Sequence, residues 1–161
     1  MGGAAIIRYM KKLLVVFILL TALAGGYLYI SSRPKATSPM PTVTATIGSG
    51  TYTLFAPRNE AELERGLAAY DSITDSQGMI FRGLPEGIQT IWMKDMKFDI
   101  DVLWVNSDNQ IIYIVQGMSR TSYPQQFHNP VGSPSAYVIE LPAEATLTHS
   151  ITIGQTVSIQ D

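Results

Sequence analysis

Apolar residues follow two rhythms along this chain: one long unbroken block near the N-terminus, then short runs that alternate with polar residues. The block, Leu13 to Ile30, is eighteen residues without a charge. As a helix rising about 1.5 Å per residue it covers roughly 27 Å, close to the hydrocarbon thickness of a bilayer. From residue 42 the period is two. Thr42 to Ile47 alternates, Gly48-Ser49-Gly50 is a turn, and Thr51 to Ala56 resumes, which predicts a hairpin. Further strands are predicted at Met79 to Phe81, Ile88 to Met93, Ile100 to Val105, Gln110 to Gln116, Ala136 to Leu141 and Thr156 to Ile159. Pro85-Glu86-Gly87 and Asn106 to Asn109 supply turns, the second joining two strands into a hairpin.

Helical signals are few. Asn59-Glu60-Ala61-Glu62 has the form of an N-cap with a carboxylate three residues on, and Leu63, Leu67 and Tyr70 recur at helical spacing. A shorter helical turn is expected between Pro142 and His149. Residues 117–134, with prolines at 124, 130 and 134, show no strand pattern and read as a long loop of the kind used for binding. The pattern predicts a mainly β fold: a small antiparallel β-sandwich or partly closed barrel with one short helix plus a C-terminal helical turn, preceded by an N-terminal hydrophobic helix.

Four segments follow: a basic flank (1–12), a transmembrane anchor or signal peptide (13–30), a proline-rich linker (31–41) and a β-rich domain (42–161). Arg8, Lys11 and Lys12 precede the block and Arg33 and Lys35 follow it, which favours a cytoplasmic N-terminus with the domain outside. Tyr27 and Tyr29 suit an interface belt, whereas Ala22-Leu23-Ala24 suits signal cleavage and secretion. The expected setting is a cell membrane spanned once, with secretion as the alternative.

Charge changes this picture. Five of the eleven basic residues sit in the first 35, which hold no acidic residue, so six face thirteen in the remainder. Nucleic-acid binding needs the opposite sign. The absence of cysteine removes disulfides, a lipobox and thiolate metal sites. No Gly-x-Ser-x-Gly or phosphate-binding loop occurs, so the sequence calls for no cofactor and no metal.

The densest polar cluster is Lys94, Asp95, Asp99 and Asp101. Alternation sets Asp99 and Asp101 on one face, where paired carboxylates beside a lysine could act as acid and base; the alternative is that Asp95 and Asp99 are solvated and Asp101 ties down backbone groups. Trp92 and Met93 point to opposite faces, so Trp92 is either an aromatic platform beside Lys94 or core. Met79 and the other methionines read as packing. Glu140 lies between Ile139 and Leu141, where a carboxylate needs a partner, and Arg65 or Lys94 is expected to form an ion pair with it. His128 and His149, the two histidines, have no zinc-site spacing.

Several of these motifs occur together and in order. Gly66-Leu67 after Glu62, Gly78-Met79-Ile80-Phe81, Trp92-Met93-Lys94, Asp101 and Ile139-Glu140-Leu141-Pro142 resemble the domain of unknown function 192 (DUF192) family, small prokaryotic domains without an established biochemical role. The chain departs from that pattern at Ala68, at Tyr70, at Gln155 and at Glu144, which replaces a customary glycine. The resemblance implies a β sandwich or barrel and no particular chemistry.

The sequence reading is therefore a non-catalytic binding or accessory module at the cell envelope, partnered by the membrane through its N-terminal segment and by an envelope saccharide, peptide or protein. Its candidate ligand face is Trp92, Lys94, Asp101, Tyr123, Phe127 and His128. The alternatives are an envelope hydrolase or lyase using Asp99, Asp101 or Glu140 with Lys94, and an assembly subunit that binds a protein through a sheet edge.

Overall fold

Two strands at the middle of the fold, each carrying an unbroken run of buried residues, set its architecture. The computed structural model describes residues 39–160. The basic flank, the 13–30 segment and most of the linker lie outside the described residues. Among the described residues nine strands occur in chain order: β1 (Thr42–Ile47), β2 (Gly50–Phe55), β3 (Gln77–Phe81), β4 (Thr90–Trp92), β5 (Ile100–Val105), β6 (Ile111–Met118), β7 (Gln126–His128), β8 (Tyr137–Pro142) and β9 (Ser158–Gln160). Helix α1 spans Glu60–Arg65 and runs into a 3-10 turn, Gly66–Ala69; α2 is the short Ala145–Thr148.

Seven strands form one curled sheet, a half-barrel, in the order β6-β5-β8-β3-β2-β1-β9, and β4 pairs with β7 in a small second sheet. β5 and β8 lie inside the large sheet and are covered on both faces, hence their continuous apolar sequences. The β1–β2 and β5–β6 hairpins join at the expected turns.

Three expectations need correction. The large sheet is not wholly antiparallel, because β2 and β3 pair in parallel; residues 56–76, including α1, form the crossover that a parallel pair requires. The strand expected over Ile88 to Met93 is shorter: only Thr90–Trp92 is extended, it lies in the small sheet, and Ile88 and Trp92 are exposed. The 117–134 loop contains β7, where Phe127 sits opposite Ile91 and both pack onto the core. A three-residue strand is too short to show a period.

The large sheet carries an apolar cluster on each face. Leu103, Val105, Ile139, Leu141 and Ile80 join Ile47, Tyr52 and Leu54 on one face. Val102, Trp104, Val138, Met79 and Phe81 lie on the other, covered by Leu67, Met93, Ile91 and Phe127. α1 caps this second layer. Asn59 accepts a hydrogen bond from the Glu62 amide at 3.0 Å, so the predicted N-cap forms.

Candidate functional site

A cleft of about 450 Å³ opens on the second face, between α1, β4 and the sheet. Phe81, Val138 and Glu140 lie beneath it; Glu60, Leu63, Glu64, Arg65 and Leu67 form one wall, and Gln89 to Trp92 with Lys94 and Met96 form the other. That volume lies within the range of small-molecule sites, and the lining is mostly apolar with a few polar groups, as in such sites.

The β4 wall is held from behind at Gln89. The buried Asn129 side chain accepts the Gln89 amide hydrogen at 2.8 Å and donates to the carbonyls of Gly87 at 3.1 Å and Ser133 at 2.6 Å. Trp104 donates its indole hydrogen to the Gln89 carbonyl at 2.8 Å. Both backbone groups of Gln89 are therefore satisfied by side chains that reach out of the loop and the core, which fixes a strand too short to hold itself. Nothing in the sequence distinguishes Asn129 from other loop asparagines or marks Trp104 as a donor to Gln89.

Trp92 and Lys94 come together at the rim of the cleft. Trp92 is 42% exposed while its neighbour Met93 is buried, so of the two orientations open to this tryptophan the structure has the outward one. Lys94 is exposed in the turn that follows β4. Arg65 and Glu140 line the same cleft, yet neither Arg65 nor Lys94 forms an ion pair with Glu140 among the described residues. The expected ion pair is thus absent, because both cations sit on the exposed rim while Glu140 is only 6% exposed at the floor. Burial without a partner raises the Glu140 carboxyl to about 8, so it is mostly protonated at neutral pH.

Asp101 lies elsewhere. It is fully buried, and its carboxylate accepts from the Gly117 amide at 2.8 Å, the Thr146 amide at 2.9 Å and the Thr146 hydroxyl at 2.6 Å. Gly117 has φ of +57°, a left-handed conformation that suits glycine, at the register shift where β6 bulges against β5. Asp101 thereby ties the bulge to α2. Nearby, burial and then the charge of Asp101 push the Tyr52 hydroxyl up to about 12. The Tyr52 oxygen is buried without a hydrogen-bond partner among the described residues, and its ring meets His149 edge-on at 5.6 Å.

Asp99 does not pair with Asp101. It accepts from the Arg120 amide at 2.9 Å and lies 3.8 Å from the Arg120 guanidinium in a partly exposed contact. Asp95 is exposed, with φ of +60°. Of the three loop candidates, Phe127 faces the core, His128 is on the outward side of β7 with Nδ1 2.9 Å from the Asn129 carbonyl, and Tyr123 is half-exposed in the loop. None of these three lines the cleft. No three His, Asp or Glu side chains among the described residues are grouped to hold a metal ion.

Comparison with known proteins places the chain in context. The DUF192 family, described as Uncharacterized ACR, matches residues 43–159. No curated protein matches. Among solved structures, one from Sinorhizobium meliloti 1021, titled a "putative transcription regulator", is similar with a TM-score of 0.66 at 22% identity, over 78% of this chain and 98% of its own. A protein of unknown function from Novosphingobium aromaticivorans DSM 12444 is similar with a TM-score of 0.60 at 24% identity, over 79% of this chain and 94% of its own. At such identities the likeness is one of fold.

Proposed function

The chain belongs to the DUF192 family, and for it we propose a non-catalytic binding role, seated in the cleft between α1, β4 and the sheet. The observation that carries this reading is the convergence there of Trp92, Lys94, Arg65 and Glu140 on a largely apolar lining. An outward indole beside two cations offers a face for a ring or an alkyl chain, with charge at one end. The hydrolase or lyase alternative needs two carboxylates and Lys94 in one site. Of the carboxylates that reading names, Asp99, Asp101 and Glu140, only Glu140 lines the cleft with Lys94, since Asp101 is engaged on the other face and Asp99 faces Arg120.

The cellular setting completes the proposal: the domain is held outside the cytoplasm by the 13–30 segment, or secreted after its cleavage, and meets an envelope saccharide, peptide or protein. Its support is the uncharged eighteen-residue run after Arg8, Lys11 and Lys12. Thermal unfolding with a panel of envelope saccharides, muropeptides and divalent cations tests the binding role. A ligand of the native state adds about 2.7 kcal/mol at a hundredfold excess over its dissociation constant. A melting shift that disappears in Trp92→Ala and Lys94→Ala, with both variants folded, is the expected result. A shift untouched by both substitutions removes the cleft from consideration.

A further inference from the structure

Glu140 is the polar group at the floor of the cleft, more than nine-tenths buried, and it makes no hydrogen bond or ion pair among the described residues. Such a group is costly to bury unless something meets it. Its sheet neighbours cannot, for β3 and β5 set Met79 and Val102 beside it. The charged groups facing the cleft are Arg65, Glu60 and Glu64 from α1 and Lys94 from the turn after β4.

We propose that the cleft takes an organic anion, a carboxylate carried on an apolar body, with the Glu140 carboxyl group donating to the anion from the floor while Arg65 and Lys94 flank it. This rests on the cleft being a binding site, as proposed above. The chemistry selects this class over two others. An amine would meet two cations at the rim beside Glu60 and Glu64, and at the floor a carboxyl group that burial keeps protonated. A free polyhydroxylated ligand would leave hydroxyls against Leu63, Leu67, Phe81 and Val138 without partners. A carboxylate satisfies all three donors at once, and its apolar body covers Trp92 and the leucines. Glu60 and Glu64 line the α1 wall as well and are exposed, as Arg65 and Lys94 are, so water screens all four, and the buried, unpartnered Glu140 carboxyl group at the floor is what favours the anion.

The donor must keep its proton, so binding weakens once Glu140 ionises; the direction follows from the upward shift that burial imposes. The test is calorimetric titration of the full chain with 3-phenylpropionate, 3-phenylpropan-1-ol and 3-phenylpropylamine at about pH 6.5 and about pH 9. The carboxylate is expected to bind best at the lower pH and to lose about tenfold in affinity at the higher one. Glu140→Gln, which retains an amide donor, is expected to bind the carboxylate equally at both. Preference for the amine, or a carboxylate affinity that is the same at both pH values in the unsubstituted chain, overturns the inference. Binding of the amine or alcohol that Trp92→Ala abolishes would do so while leaving the cleft as the site. If none of the three probes binds, the inference fails, and the saccharide and muropeptide panel then decides the cleft separately.

Discussion

Asp101 and Glu140 lie on neighbouring strands one residue out of step: Asp101 pairs with Leu141, and Val102 pairs with Glu140, so the two buried carboxyl groups point to opposite faces of the sheet. One is satisfied and the other is not. Asp101 receives three hydrogen bonds from Gly117 and Thr146, whereas Glu140 faces the cleft with none. Their difference in partners assigns Asp101 to holding the fold and leaves Glu140 for the cleft.

Removing the Asp101 carboxylate leaves the amides of Gly117 and Thr146 and the Thr146 hydroxyl without their acceptor. Asp101→Ala is expected to lose about 3 kcal/mol of stability, since hydrogen bonds to charged groups are worth about 1.5–3 kcal/mol each and Thr146, which makes two of the three, stays buried. Asp99→Ala, at a partly exposed contact with Arg120, should lose about 1 kcal/mol or less. Urea denaturation of the two variants checks the contrast.

Glu140 makes stability depend on pH in a defined window. Its folded value of about 8 lies above its ordinary value of 4.5, so between these limits the folded state retains a proton that the unfolded chain has released. Its contribution is fully present below the lower limit and is lost as pH rises through the upper one, at roughly 1.4 kcal/mol per pH unit. Glu140→Gln should therefore gain on the unsubstituted protein across that window and reach a constant advantage above it. Melting curves from pH 4 to 9 measure the difference.

Strand periodicity made the two main hairpins legible before any coordinates, and the Asn59 to Glu62 motif the α1 cap, while at Trp92 it left the outward and the core orientation both open. What it could not supply was register. Whether Asp101 and Glu140 share a face is decided by which residues pair across β5 and β8, and a slip of one would reverse the answer. The parallel β2–β3 pairing depends likewise on a long crossover, and β4 with β7 on a side-chain anchor, Asn129, remote in sequence from Gln89. The candidate site was half visible for the same reason: Trp92 and Lys94 are near in sequence, while Arg65 and Glu140 reach them only through tertiary packing.

Asn129 is expected to matter for the cleft more than its place in a loop suggests. Asn129→Ala breaks three hydrogen bonds, among them the one that holds the Gln89 amide, and should cost about 2–3 kcal/mol. Hydrogen exchange at Gln89 should accelerate by more than at amides of β5 and β8, a pattern of local opening and not of general unfolding.

Glu144 occupies a left-handed conformation, with φ of +71°, at the start of α2. It stands where the family pattern has glycine, and a non-glycine residue there carries about 1–2 kcal/mol of strain. Glycine is freer in the unfolded chain, which offsets about half of the relief. Glu144→Gly should thus stabilise by about 0.5–1 kcal/mol, in contrast to most substitutions, and a modest rise in melting temperature would show it.

The most direct test of the account is a residue-resolved amide NMR map of the chain as ligand is added, using whichever member of the saccharide, muropeptide or phenylpropionate series shifts its melting temperature. The account predicts that the perturbed amides fall at Leu63 to Leu67, Gln89 to Lys94 and Val138 to Glu140, the three segments that enclose the cleft. Perturbations gathered instead around Ser49 and His149, or along the β6 edge, with these three segments unmoved, would contradict it.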